Sequence, residues 1–317
     1  MYFLGFTWNP DKALFEIGSF QLRFYSLMFV IAFLLGWYIT KKIFNRENQP
    51  LEKLDTLFIY MVVSILLGAR LGHVFFYDWD YFSQHPGEIL LPFRFSPKFE
   101  FTGFTGLASH GAAIGVIIAM YLYRRKYPDL KISWVLDRVV IPVASGAVFV
   151  RIGNFLNSEI IGEKVEESFP LGVRFVQDQI SEAQAVKMTG AKKISEAYDL
   201  IVSDPRFADT LNTIPFRHPA QLYEAFCYIF VFLILWFVYW KTNKREQPFF
   251  LFGLFLVLLW TVRFFVEYVK ESQGGFESLI GNGEILSTGQ LLSIPFVLAG
   301  LYFMFRPQSK TTPNEKN

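Results

Sequence analysis

Runs of about twenty apolar residues recur along this chain, and no other feature limits its fold so strongly. A helix needs about 20 such residues to cross the ~30 Å hydrocarbon core, where helices and closed barrels alone satisfy their backbone polar groups. Seven runs qualify: Phe24–Phe44, Leu54–Tyr77, Phe104–Tyr123, Trp134–Leu156, Pro219–Trp240, Phe249–Val269 and Gly289–Phe305. The fourth is the least uniform, with Pro142, Ser145 and Gly146 in its middle and a polar end. With 52% apolar residues, the chain has too little polar surface for a soluble globule. It reads as an all-α polytopic membrane protein with seven transmembrane helices.

Loop charge sets the expected orientation. The segments Lys41–Lys53, Arg124–Lys131, Lys241–Arg245 and the tail from Arg306 carry 4, 4, 3 and 3 lysines and arginines. The alternate segments Met1–Arg23, Asp78–Gly103 and Glu271–Ser287 carry 2, 2 and 0. The positive-inside rule therefore puts the N-terminus outside and the C-terminus in the cytoplasm. Ser158–Arg217 holds seven basic residues but is long, and long translocated loops obey the rule poorly. It reads as a small extracytoplasmic head with a helical stretch near Ile180–Val202. The expected division is residues 1–157 for spans one to four and 158–217 for the head. Residues 218–306 then hold spans five to seven, and 307–317 form a cytoplasmic tail.

Several classes drop out. One cysteine, Cys227, excludes a disulfide framework and any multi-cysteine metal site. His73, His85, His110 and His218 show no zinc spacing. A net charge of +2, with the basic residues in loops, argues against a nucleic-acid partner. No cleavable leader is expected, because the first apolar run is long and lacks a small-residue cleavage site. No internal repeat suggests the inverted halves of a transporter.

Four polar clusters interrupt the apolar pattern. In VRIGNFLNSEIIG, Arg151, Asn154, Ser158 and Glu159 can share one helical face, with Asn157 beside them. An ionisable group within a bilayer is a functional-site candidate by default, although Arg151 alone could end a helix and snorkel to the headgroups. His110 lies in GLASHGAAIG, among small residues that allow close helix approach; a buried histidine bonded to a neighbouring helix is the plainer reading. In RHPAQLYE, His218, Gln221 and Glu224 climb one side of the fifth span, where capping competes with catalysis. Arg263 and Glu267 stand at i, i+4 and read either as a structural ion pair or as part of an anion site. Arg70 is packing or site, Asp137 is expected to pair locally with Arg138, Tyr25 reads as a belt aromatic, and Cys227 as a small core residue.

Taken in order, SHGAAIG, RIGNFLNSEIIG, RHPAQLYE, RFFVE and STGQLLSIP resemble the prolipoprotein diacylglyceryl transferase family from about Gln21 to Phe305. The resemblance implies a multi-pass protein of the bacterial cytoplasmic (inner) membrane, in contact with membrane lipids. Its partners would be phosphatidylglycerol and preprolipoprotein signal peptides bearing a lipobox cysteine. The diacylglyceryl group moves to that cysteine thiol as a thioether, and glycerol phosphate leaves. Matched position by position, the family's functional residues fall on Tyr25, His110, Arg151, Asn154, Gly162, Arg263 and Glu267. His110, Arg151 and Arg263 would be catalytic. Tyr25, Asn154, Gly162 and Glu267, with both arginines, would hold phosphatidylglycerol. No metal or cofactor is implied. Leu259 stands where the family often has tyrosine, with Trp260 beside it, and Arg23 stands where some members have histidine. The competing reading is a polytopic transporter or lipid-binding scaffold for an anionic substrate.

Overall fold

The computed structural model describes residues 5–17, 20–91, 93–95, 99–101, 106–271 and 286–307. Seven long helices order these residues: α1 Phe24–Arg46, α2 Leu51–Tyr77, α3 Ser109–Lys126, α4 Ile132–Leu156, α5 Ala220–Lys241, α6 Phe250–Val266 and α7 Thr288–Phe305. Six of them are long and apolar enough to cross a membrane. The exception is α3, whose 18 residues end in Arg124, Arg125 and Lys126. Its apolar part, Ser109–Tyr123, spans roughly 22 Å at 1.5 Å per residue, short of the ~30 Å core. The expected start of this span at Phe104 lies outside the described residues, as does most of the Glu271–Ser287 segment and the tail. The other six expected spans match helices to within three residues at each end.

Two compact units divide the chain, Asp11–Val135 and Met1–Pro10 with Leu136–Asn317. In the first, a hairpin of Ala13–Ile17 and Phe20–Arg23 leads into α1. Helices α2 and α3 then meet backbone to backbone. A Cβ on Gly68 would lie 2.5 Å from the Gly111 carbonyl oxygen, and one on Gly115 would lie 2.4 Å from that of Ser64. Gly68 with Gly72, and Gly111 with Gly115, each repeat at four residues, the spacing that lets membrane helices touch. The small residues around His110 thus serve helix packing. Gly111→Ala should destabilise the protein by about 1–3 kcal/mol, the usual cost of overpacking. Thermal unfolding in detergent measures it, with the exposed Ala113→Val as the unaffected control.

Arg70, open between packing and site on sequence grounds, is buried in the same unit. It donates to the carbonyls of Glu88 (2.7 Å) and Ile89 (2.8 Å), and its guanidinium covers the Phe82 ring. It ties down the loop after α2.

The second unit contains α4 from Leu136 onward, the segment Ser158–Arg217, and α5 to α7. Asp137 does not simply pair with Arg138, as expected. Its carboxylate accepts the backbone N–H groups of Phe249 (2.7 Å) and Phe252 (2.8 Å) at the start of α6. Phe249 there adopts a left-handed conformation, and a buried carboxylate satisfies donors that a helix start leaves unpaired. Helix α7 begins with a capping box, Ser287 and Gln290 exchanging side-chain and backbone bonds, as the S-x-x-Q spacing dictates.

The Ser158–Arg217 segment contributes three strands to a four-stranded sheet that the sequence did not signal. Its strands run in the order Phe6–Trp8, Val173–Phe175, Phe216–Arg217, Lys164–Val165, with the first pair parallel. Helices Glu182–Thr189 and Ile194–Ser203 occupy the expected helical stretch, the second ending one residue beyond it. They pack on Val176, Ile180 and Ile214. Tyr198 donates to the Ile180 carbonyl at 2.7 Å, and burial pushes its phenol up to about 12.

Candidate active site

The polar end of α4 and the first turns of α5 build one connected network. Arg151 Nε lies 2.5 Å from Glu224 Oε2, with side chains only 12% and 3% exposed. Arg151 Nη1 donates to Asn154 Oδ1 at 3.4 Å, and Asn154 Nδ2 donates to Glu159 Oε1 at 2.8 Å. Gln221 Nε2 donates to the Glu159 carbonyl at 2.7 Å. Helical spacing explains the convergence. Arg151 and Asn154 are i, i+3 on α4, while Gln221, Glu224 and Tyr228 are i, i+3, i+7 on α5 and all buried.

Tyr228, next on the same stripe, lies near Arg151, Glu224 and Arg263. Two cations and two carboxylates thus gather in a low-dielectric setting, where each unpaired charge is expensive. Among the described residues, Glu224 and Asn154 take two of the five guanidinium N–H donors of Arg151. The rest suit a further anion.

Arg263 and Glu267 do not pair with each other, contrary to the i, i+4 reading. Helix α6 ends at Val266 and is followed by a 3-10 turn over Glu267–Val269. Glu267 instead lies 3.5 Å from Lys270 Nζ and rests on Gly289, where a Cβ would meet Glu267 Oε1 at 2.2 Å. The Arg263 guanidinium lies 5.1 Å from the Trp260 ring centroid, and Trp260 stacks on Phe296 at 4.1 Å. Trp260 therefore fills space beside Leu259 and supports the arginine.

Gly162 offers a ligand neither a side chain nor a free backbone donor. Its N–H donates to the His218 carbonyl at 3.0 Å, and its carbonyl accepts from Arg217 Nη1 at 3.1 Å. A Cβ would come within 2.5 Å of the His218 carbonyl oxygen and 2.6 Å of that of Val269. Close backbone approach requires glycine here. Arg217 also pairs with Glu271 at 2.8 Å. His218 precedes the helix start and so leaves the stripe of Gln221 and Glu224. Its ring contacts Phe169 and the Tyr223 hydroxyl, and burial holds its imidazole below the usual range.

His110 and Tyr25 belong to the unit Asp11–Val135. His110 is the second residue of α3, is exposed, and makes no hydrogen bond to a described residue. Tyr25 is the second residue of α1, its ring set edge-on to Phe29 at 5.1 Å.

A family model described as prolipoprotein diacylglyceryl transferase matches residues 12–306. The chain belongs to the prolipoprotein diacylglyceryl transferase family. A family member from Tolumonas auensis, named phosphatidylglycerol--prolipoprotein diacylglyceryl transferase, is 37% identical over 297 residues, 94% of this chain and 95% of its own. Relatives of the same name from Bacteroides fragilis and Chloroherpeton thalassium are 36% and 33% identical. They cover 95% and 94% of this chain, and 95% and 93% of their own lengths. In this member of the transferase family, Glu224 and Tyr228 are the neighbours of Arg151 that its sequence did not announce. Their signal was the buried stripe begun by Gln221, which only the fold aligns with Arg151.

Proposed function

We propose that this protein transfers the diacylglyceryl group of phosphatidylglycerol to the lipobox cysteine thiol of preprolipoproteins. The names of its relatives support both substrates. The observation that carries the chemistry is the Arg151 network, a guanidinium oriented by Glu224 and Asn154 with donors to spare, and with Arg263 in electrostatic range of the same tyrosine.

The cysteine sulfur attacks the glyceryl carbon that bears the phosphate, and the carbon–oxygen bond breaks. The thiol proton goes to His110, and glycerol phosphate leaves with the bonding pair on oxygen. Negative charge grows on that oxygen, and arginines already oriented toward it stabilise the transition state more in low dielectric than in water. A thiol is a weak nucleophile until deprotonated, which a neutral imidazole does near pH 7. Tyr25, Asn154 and Glu267 complete the lipid site, while Gly162 shapes it through backbone packing. The enzyme supplies no cysteine of its own; Cys227 is a partly buried packing residue of α5.

In this reading α3 is the third of seven spans, the N-terminus is outside and the Ser158–Arg217 head is extracytoplasmic in the bacterial inner membrane. The head shapes access for the signal peptide. Depleting the protein should leave preprolipoproteins unlipidated with their signal peptides attached. Continued lipidation in a cell with no second family member would overturn the assignment.

A further inference from the structure

The turn after Asn157 is strained. Ser158 has φ +55° and Ile160 has φ +60°. A β-branched residue in the left-handed region is an outlier that persists only where surrounding contacts over-determine it. Backbone bonds fix both flanks. Ser158 donates to Phe155 (3.0 Å) and Glu159 to Asn154 (3.0 Å) on one side, and Gly162 donates to His218 (3.0 Å) on the other. Between the two strained residues, the Glu159 carbonyl accepts Gln221 Nε2 at 2.7 Å.

Gln221 is 0% exposed, and its Oε1 has no hydrogen-bond partner among the described residues. A buried amide with half its bonding capacity unused is a poor filler, since an apolar side chain of similar size leaves nothing unpaired. The contact that explains an amide here is the one to the turn. The turn in turn sets the Glu159 carboxylate, which takes the Asn154 amide and leaves Asn154 Oδ1 facing Arg151.

We propose that Gln221 is a positioning residue: it holds the strained Ser158–Ile160 turn, and through Glu159 and Asn154 it orients Arg151. This rests on the reading of Arg151 as the arginine that meets the leaving phosphate. Without the Gln221 donor, Ile160 relaxes to negative φ and carries Glu159 away from Asn154. Glycine at 160 adopts the left-handed conformation without strain, so it should hold the turn even without Gln221.

Gln221→Leu should therefore lower kcat more than tenfold, with the KM for phosphatidylglycerol changed less than threefold. Ile160→Gly alone should keep most of its activity. The double variant should recover at least fivefold over Gln221→Leu, a rescue that a merely structural role would not give. Melting temperature, which needs no activity, should show the same coupling, with Gln221→Leu costing less in the Ile160→Gly background. If Gln221→Leu fails to insert, Gln221→Met, unbranched and equally without a donor, carries the same expectations. Wild-type kcat in Gln221→Leu, or the absence of rescue in both readouts, overturns the proposal. Thermal coupling in a protein that transfers no lipid would leave the turn intact as a device and refute the reading of function instead.

Discussion

Arg151→Lys and Arg263→Lys should each lose far more than tenfold in transfer from phosphatidylglycerol, where tenfold corresponds to ~1.4 kcal/mol of transition-state stabilisation. Lysine keeps the charge but not the planar fork that meets two phosphate oxygens at once. At position 151 lysine still reaches Glu224, yet one ammonium cannot also take Asn154 and a phosphate in their present directions. At position 263 it leaves the Trp260 face on which the guanidinium lies. Arg263 and Glu267 form no ion pair, so a loss of activity in Arg263→Lys is not explained by a broken bridge to Glu267. The measurement is kcat/KM for both variants on a lipobox peptide, beside their melting temperatures. Full activity in both would remove the phosphate clamp.

His110→Gln behaves differently. A general base contributes on the order of a hundred- to ten-thousand-fold, so this variant should bind phosphatidylglycerol nearly normally and turn over very slowly at neutral pH. Its residual rate should climb as pH rises toward the ~8.5 at which a free thiol ionises, because the peptide then supplies its own thiolate. Neither lysine variant should gain from that rise, since thiolate supply is not what it lacks. Binding measured with labelled lipid, and rate measured from pH 6 to about 9, separate the two steps. Near-normal turnover of His110→Gln at neutral pH would remove the base.

How much of this was legible in the sequence depends on whether the causes are local. Span ends are local, set by Pro219 before α5, the S-x-x-Q cap at Ser287 and the polar end of α4, and both ends of six spans fell close to place. The backbone contact of α2 with α3 was half visible, as small residues around His110, and became specific once the glycines of α2 were seen opposite. Partners contributed by another helix were not legible. Nothing near Arg151 in the chain names Glu224, and nothing near Asp137 names the start of α6. The four-stranded sheet was hidden because its strands are two or three residues long and one comes from Phe6–Trp8. Of the two readings open for Arg263 and Glu267, the structure removes the direct ion pair, because the carboxylate of Glu267 turns to Lys270 and Gly289, and neither contact is announced by the i, i+4 spacing.

The proposed reaction is a covalent transfer, and the mass of the acceptor reads it directly. Purified protein in phosphatidylglycerol vesicles, given a peptide with a signal sequence and a lipobox cysteine, should add one diacylglyceryl group to that cysteine. One glycerol phosphate should appear for each peptide modified, and a peptide with serine in place of the cysteine should stay unchanged. A peptide of unaltered mass, recovered from a folded protein that still binds the lipid, would contradict the account.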